Sequence, residues 1–94
     1  MIILVDVDDT LVRTVGSKRI PMPGTIRRVR ELFAEGHAIY LWSSGGADYC
    51  RETASELGIT KCFVGFLPKP ELVIDDQEFS DWWNLRYERP GSNI

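Results

Sequence analysis

An apolar run that ends in a cluster of acids is the strongest constraint in this chain. Ile2-Ile3-Leu4-Val5 leads directly into Asp6-Val7-Asp8-Asp9-Thr10. A continuous apolar run of this length suits a strand covered on both faces, as in a parallel sheet. The acids then fall at its carboxyl end. Like charges gathered there repel, and a hard cation with a taste for oxygen ligands, such as magnesium, relieves that cost. The same pattern returns later, where Glu71 to Ile74 forms an apolar strand candidate leading into Asp75-Asp76.

The stretches between these runs have their own periods. Thr25 to Glu35 carries Ile26, Val29, Leu32 and Phe33 at helical spacing, and Gly36 supplies a stop. Arg13 to Pro23, with Gly16, Pro21 and Pro23, reads as loop. Ala38 to Trp42 is a second strand, closed by Ser43-Ser44-Gly45-Gly46. Ala47 to Leu57 is a second helix with Cys50, Ala54 and Leu57 on one face. Cys62 to Phe66 is a third strand. Phe79 to Ile94 reads as an aromatic tail with a short helical turn and an extended end. Strands alternating with helices predict an α/β fold with a mostly parallel sheet. Ligands of such sheets bind beyond the carboxyl ends of the strands, which is where all three polar clusters fall.

The 94 residues suffice for a single domain, 1–94. Lys plus Arg number 11 and Asp plus Glu 14, for a net charge of -3. An acidic chain lacks the basic surface on which nucleic-acid affinity rests, so nucleic acid is not indicated, although a local basic patch is not excluded. Arg27, Arg28 and Arg30 read as a solvated helix face. No run approaches the ~20 apolar residues of a membrane span. No basic-then-apolar leader precedes Asp6, so the expected compartment is cytoplasmic. Cys50 and Cys62, far from any CxxC spacing, read as reduced thiols. His37 opens the second strand, at the rim opposite the acids. Trp42 is assigned to the core.

Each polar cluster also has an ordinary reading. The acids can be solvated turn residues, Ser43 a helix cap, and Lys69 in Leu67-Pro68-Lys69-Pro70 a surface lysine. Together they suggest a site. The hydroxyl of Ser43 and the N–H groups of Ser44, Gly45 and Gly46, placed before a helix, form an anion-binding donor set.

In order, these segments resemble the four motifs of the haloacid dehalogenase (HAD) superfamily. Asp6-Val7-Asp8-Asp9-Thr10-Leu11 is similar to the first, Ser43 after Tyr40-Leu41-Trp42 to the second, Lys69 to the third, and Leu72-Val73-Ile74-Asp75-Asp76 to the fourth. The resemblance implies a three-layer Rossmann-like parallel sheet of about four strands, and a magnesium-dependent (Mg2+) phosphatase, a hydrolase working through an aspartyl-phosphate. By position, Asp6 would be the nucleophile and Asp8 the acid and base. Ser43 and Lys69 would steady the phosphoryl group, with Asp9, Thr10, Ser44 and Gly45 around it. The metal would be held by Asp6, the Asp8 carbonyl and Asp76, with Asp75 supporting it; a spaced-acid alternative gives that support to Asp81. Asp8 in its place disfavours dehalogenation.

The gap from Leu11 to Thr25 is too short for the inserted cap domain many members carry, and nothing between Phe63 and Lys69 could be one. An uncapped rim would accept a large phosphorylated substrate. The chain ends soon after the fourth motif, a reduced C-terminus that would leave a strand edge for the Trp82–Trp83 tail, or for a second copy in a homodimer. Two other readings stand beside the phosphatase: a non-catalytic HAD-like binding module, and a receiver-like phosphoacceptor domain, whose motif order differs.

Overall fold

The computed structural model describes residues 1–91. Three parallel strands form the central sheet: β1 (Ile2–Asp6), β4 (Ala38–Ser43) and β5 (Gly65–Pro68), in the order β1-β4-β5. Leu4 lies opposite Tyr40, which lies opposite Gly65; Asp6 pairs with Trp42, and Trp42 with Leu67. An antiparallel hairpin, β2 (Val12–Val15) and β3 (Lys18–Pro21), stands apart from that sheet.

Two helices connect the parallel strands. Helix α1 (Pro23–Ala34) begins on a proline, whose fixed φ suits the first helical position. Val29 and Leu32 are its buried residues, whereas Phe33, at the margin of the apolar stripe, is 41% exposed. Helix α2 (Ala47–Glu56) buries Cys50, Thr53 and Ala54. Both helices pack on the same side of the sheet, against Val5, Ile39 and Leu41, in one core that also takes in Val7, Leu11, Ile59 and Cys62. Side chains of a strand alternate between faces. Ile2, Leu4, Tyr40, Trp42 and Leu67 therefore point the other way, and among the described residues no helix covers them. The α/β expectation holds, but the layers are one sheet and one helical side, not three.

Four differences from expectation have physical causes. The sheet has three strands because Glu71 to Ile74 forms no ladder, and its side chains stay exposed. An apolar run followed by acids is only a candidate strand until another strand donates and accepts its hydrogen bonds. The Arg13 to Pro23 segment is a hairpin and not a loop. Gly16, at φ 62°, opens a two-residue turn, and Val12, Thr14, Val15 and Ile20 supply β-branched strand residues around it. The third strand lies at Gly65–Pro68, because Thr60–Cys62 closes into a single 3-10 turn that buries Cys62. Trp42 is only half-buried, with the Lys69 ammonium 5.8 Å from its ring centroid.

In the tail, the expected helical turn forms at Phe79–Asp81. Arg28 on α1 grips both carboxylate oxygens of Glu88, at 3.1 and 2.8 Å, so one of the three helix arginines anchors the tail. The last three positions of the predicted tail, 92–94, lie outside the described residues. Cys50 and Cys62 are buried, free thiols. His37 sits at the amino end of the sheet, its Nδ1 2.8 Å from the Met1 amine. No helix among the described residues is long and apolar enough to cross a membrane.

Candidate active site

The loop after β1 builds the site. Val7 is wholly buried, and its carbonyl accepts from the N–H groups of Thr10, Leu11 and Val12 at 3.2, 2.8 and 3.3 Å. The chain thus closes one tight turn. Asp9 takes φ 61° in it, a left-handed conformation that aspartate tolerates better than most residues. Leu11 and Val12 fill the core beneath, and the hairpin rises from there. Buried anchors on both sides leave Asp6 half-buried at the rim and turn Asp8 and Asp9 outward.

Asp6 has a partner on each oxygen. The Lys69 ammonium is 3.1 Å from Oδ1, and the Thr10 hydroxyl donates to Oδ2 at 3.1 Å. Lys69 is placed by its own backbone, whose N–H donates to the Ser43 carbonyl at 2.9 Å just beyond the β4–β5 pairing. The prolines on either side stiffen that placement. Asp6, the Ser43 loop and Lys69 therefore meet at one rim.

Asp8 is held from a different direction. The Tyr49 hydroxyl donates to its Oδ1 at 2.6 Å, and Arg19 donates to the same hydroxyl oxygen at 3.1 Å. Arg19 comes from the hairpin and also reaches Thr53 Oγ1 at 2.9 Å and Glu56 at 2.6 Å, both on α2. Burial works against the Arg19 charge, but the bond to Tyr49 and the charge of Glu56 outweigh it and raise the pKa. Burial raises the Tyr49 pKa, and the bond to Asp8 adds to it against the opposing pull of Arg19. A Tyr49 that keeps its proton remains a donor to Asp8. Neither Tyr49 nor Arg19 stood out in the sequence. Tyr49 sits two positions into a helix whose apolar face drew attention elsewhere, and Arg19 lay in a segment read as loop.

The expected anion cradle is partly taken up internally. Ser43 is buried, and its Oγ accepts from the Gly45 N–H at 3.0 Å while its carbonyl accepts from the Gly46 N–H at 3.1 Å. The Asp9 N–H goes to the Val12 carbonyl at 2.7 Å, and the Thr10 hydroxyl goes to Asp6. Ser44 is exposed, and Lys69 is the cation beside Asp6.

Gly45 has a second reason to be glycine. A Cβ there would lie 2.7 Å from Tyr49 Cδ2. Gly45→Ala should push the ring off Asp8 and cost about 1–3 kcal/mol, as overpacking does. Urea unfolding measures the cost, and an unchanged midpoint would show that the ring yields freely.

Asp75 and Asp76 do not join this group. Asp75 Oδ1 accepts from the Gln77 N–H at 3.0 Å in a local turn, and Asp76 is exposed. Among the described residues no three acids, histidines or cysteines lie close enough to hold a metal. The expected set of Asp6, Asp8, Asp76 and Asp75 is therefore not assembled among the described residues. The missing fourth strand is the cause, since without a ladder the fourth cluster has nothing to carry it to the rim. Asp81 is occupied in the same segment, its carboxylate accepting from the Glu78 N–H.

Burial raises the Cys50 thiol pKa, and the charges of Asp6 and then Asp8 raise it further. Comparison with protein-family models, curated proteins and solved structures found no match to this chain.

Proposed function

We propose that the chain is a phosphatase of the HAD type, a magnesium-dependent hydrolase acting through an aspartyl-phosphate on Asp6. The observation that carries this reading is the convergence of Asp6, Thr10, Lys69 and the Ser43 loop at one sheet rim, with Asp8 one turn away. That segments so far apart in sequence share one rim supports the reading.

The donor chemistry fits a hard cation. Magnesium is commonly bound by one or two carboxylates, with water and substrate phosphate completing its shell. The Asp6 carboxylate and the Asp8 carbonyl would hold it, and when bound it would neutralise charge on the phosphate.

The protein's own groups divide the remaining work. Thr10 fixes the Asp6 carboxylate, and Lys69 keeps a positive charge against it. Asp6 attacks phosphorus, and the bond to the leaving oxygen breaks. Asp8 gives that oxygen its proton. Water then attacks phosphorus, Asp8 takes the water proton, and the Asp6 carboxylate leaves. Lys69 moves its contact from Asp6 to the transferring oxygens. The uncapped rim would admit a large phosphorylated substrate.

The test is phosphate release from a generic aryl phosphate, with magnesium and with chelator. Release that requires the metal supports a phosphatase. A second reading, a HAD-like binding module without turnover, is favoured by one observation: both Asp6 oxygens and most loop donors already have internal partners. Folded protein that binds magnesium and releases nothing would favour it.

Metal affinity separates the carboxylates. Asp6→Asn should weaken magnesium binding at least about tenfold, a loss of roughly 1.4 kcal/mol. Asp76→Asn should change it less than about twofold, since Asp76 stands apart from the rim. Titration calorimetry measures both, and equal losses would restore Asp76 to the metal set.

A further inference from the structure

We propose that Tyr49 is a positioning residue for Asp8, and that Arg19 aims it. The role rests on the phosphatase reading above, in which Asp8 gives and takes the protons.

An exposed aspartate turns readily between rotamers. Asp8 is exposed, and among the described residues its carboxylate has one hydrogen-bond partner, the Tyr49 hydroxyl, 2.6 Å from Oδ1. A hydroxyl that donates to Oδ1 needs that oxygen free of a proton. When Asp8 is protonated, the proton is thereby directed to Oδ2. Tyr49 thus fixes the direction of the carboxyl group and also the oxygen that hands its proton to the leaving group.

Tyr49 is itself held by three contacts. Its hydroxyl oxygen accepts from Arg19 at 3.1 Å, which leaves the hydroxyl proton for Asp8. The guanidinium carbon of Arg19 lies 5.2 Å from the ring centroid. Gly45 leaves the ring the space that a Cβ would take, 2.7 Å from Tyr49 Cδ2. Arg19 is anchored in turn, through the buried Thr53 Oγ1 at 2.9 Å and Glu56 at 2.6 Å. A tie between hairpin and α2 would be complete with Arg19, Thr53 and Glu56 alone. The bond from Tyr49 to an exposed carboxylate adds little to that tie, and its effect falls on where Asp8 points.

The experiment compares wild type, Tyr49→Phe and Arg19→Met by kcat/KM with magnesium, on nitrophenyl phosphate and on phenyl phosphate. Nitrophenolate leaves readily without a proton. Phenolate, a much stronger base, needs one, so loss of an aimed acid weighs on phenyl phosphate. Tyr49→Phe keeps the ring and removes only the hydroxyl. It should lower kcat/KM at least about thirtyfold on phenyl phosphate and at most about threefold on nitrophenyl phosphate. Arg19→Met should move the ratio of the two the same way, by at least about threefold. Thermal melts check that both variants are folded. A Tyr49→Phe protein that loses equally on both substrates, or on neither, overturns the role of Tyr49 and leaves the phosphatase standing. An Arg19→Met ratio equal to that of wild type overturns the role of Arg19. A wild type that releases no phosphate from either substrate removes the phosphatase reading and this role with it.

Discussion

Asp6→Asn should lower magnesium-dependent phosphate release at least about a thousandfold, because a neutral amide cannot form the acyl-phosphate. The substitution preserves shape and keeps an acceptor for the Thr10 hydroxyl. It removes only the ion pair with Lys69. The two side chains of that pair are 31% and 38% exposed. A pair so wetted contributes about 0–1 kcal/mol. Folding should therefore survive, and thermal melts would show it. Residual turnover above about a hundredth of wild type, in a clean preparation, would remove Asp6 from the nucleophile role. The measurement also distinguishes the two readings of the site. If wild-type protein and variant are equally silent, the binding module is favoured. If only the variant is silent, the phosphatase stands.

The second large effect concerns stability. Leu11→Ala should cost about 2–5 kcal/mol, a large share of the 5–15 kcal/mol that holds a typical domain together. Leu11 is wholly buried and does two things at once. Its N–H donates to the Val7 carbonyl at 2.8 Å, and its carbonyl accepts from the Met22 N–H at 2.8 Å. The backbone of Leu11 therefore ties the acidic loop to the start of α1, while its side chain fills the core. Denaturant unfolding would report the loss in the midpoint. A cost below about 1 kcal/mol would mean that the core collapses into the cavity and that the loop is held by its backbone bonds alone.

Much of this arrangement is legible in the residues. Both helices follow from three- and four-residue spacing and their glycine stops, because a helix makes its hydrogen bonds locally. β1 and β4 follow from apolar runs closed by polar clusters. The rim follows in turn, since Asp6, Ser43 and Lys69 are placed by backbone that those strands fix. What depended on distant partners was not legible. The segment at Leu72 to Ile74 has strand composition but no neighbour to pair with. The hairpin was hidden by Pro21 at the end of its second strand, Pro23 just beyond it and its basic residues, although β-branched residues around Gly16-Ser17 were the available signal. Tyr49 and Arg19 matter through a chain of contacts joining hairpin, helix and Asp8, and no spacing rule announces such a chain. The missing helical layer on one side has the same origin, because composition does not say which face of a sheet a helix will take.

The turn at Gly16-Ser17 has a consequence for how such a chain can grow. It projects from the body, and a side chain added at Gly16 would meet nothing within 4 Å. The hairpin strands close their own hydrogen bonds below it. New sequence spliced between those two residues would extend outward from the rim without altering a single core contact. A scaffold of this kind can gain a lobe in one insertion while its core and its acidic loop stay as they were.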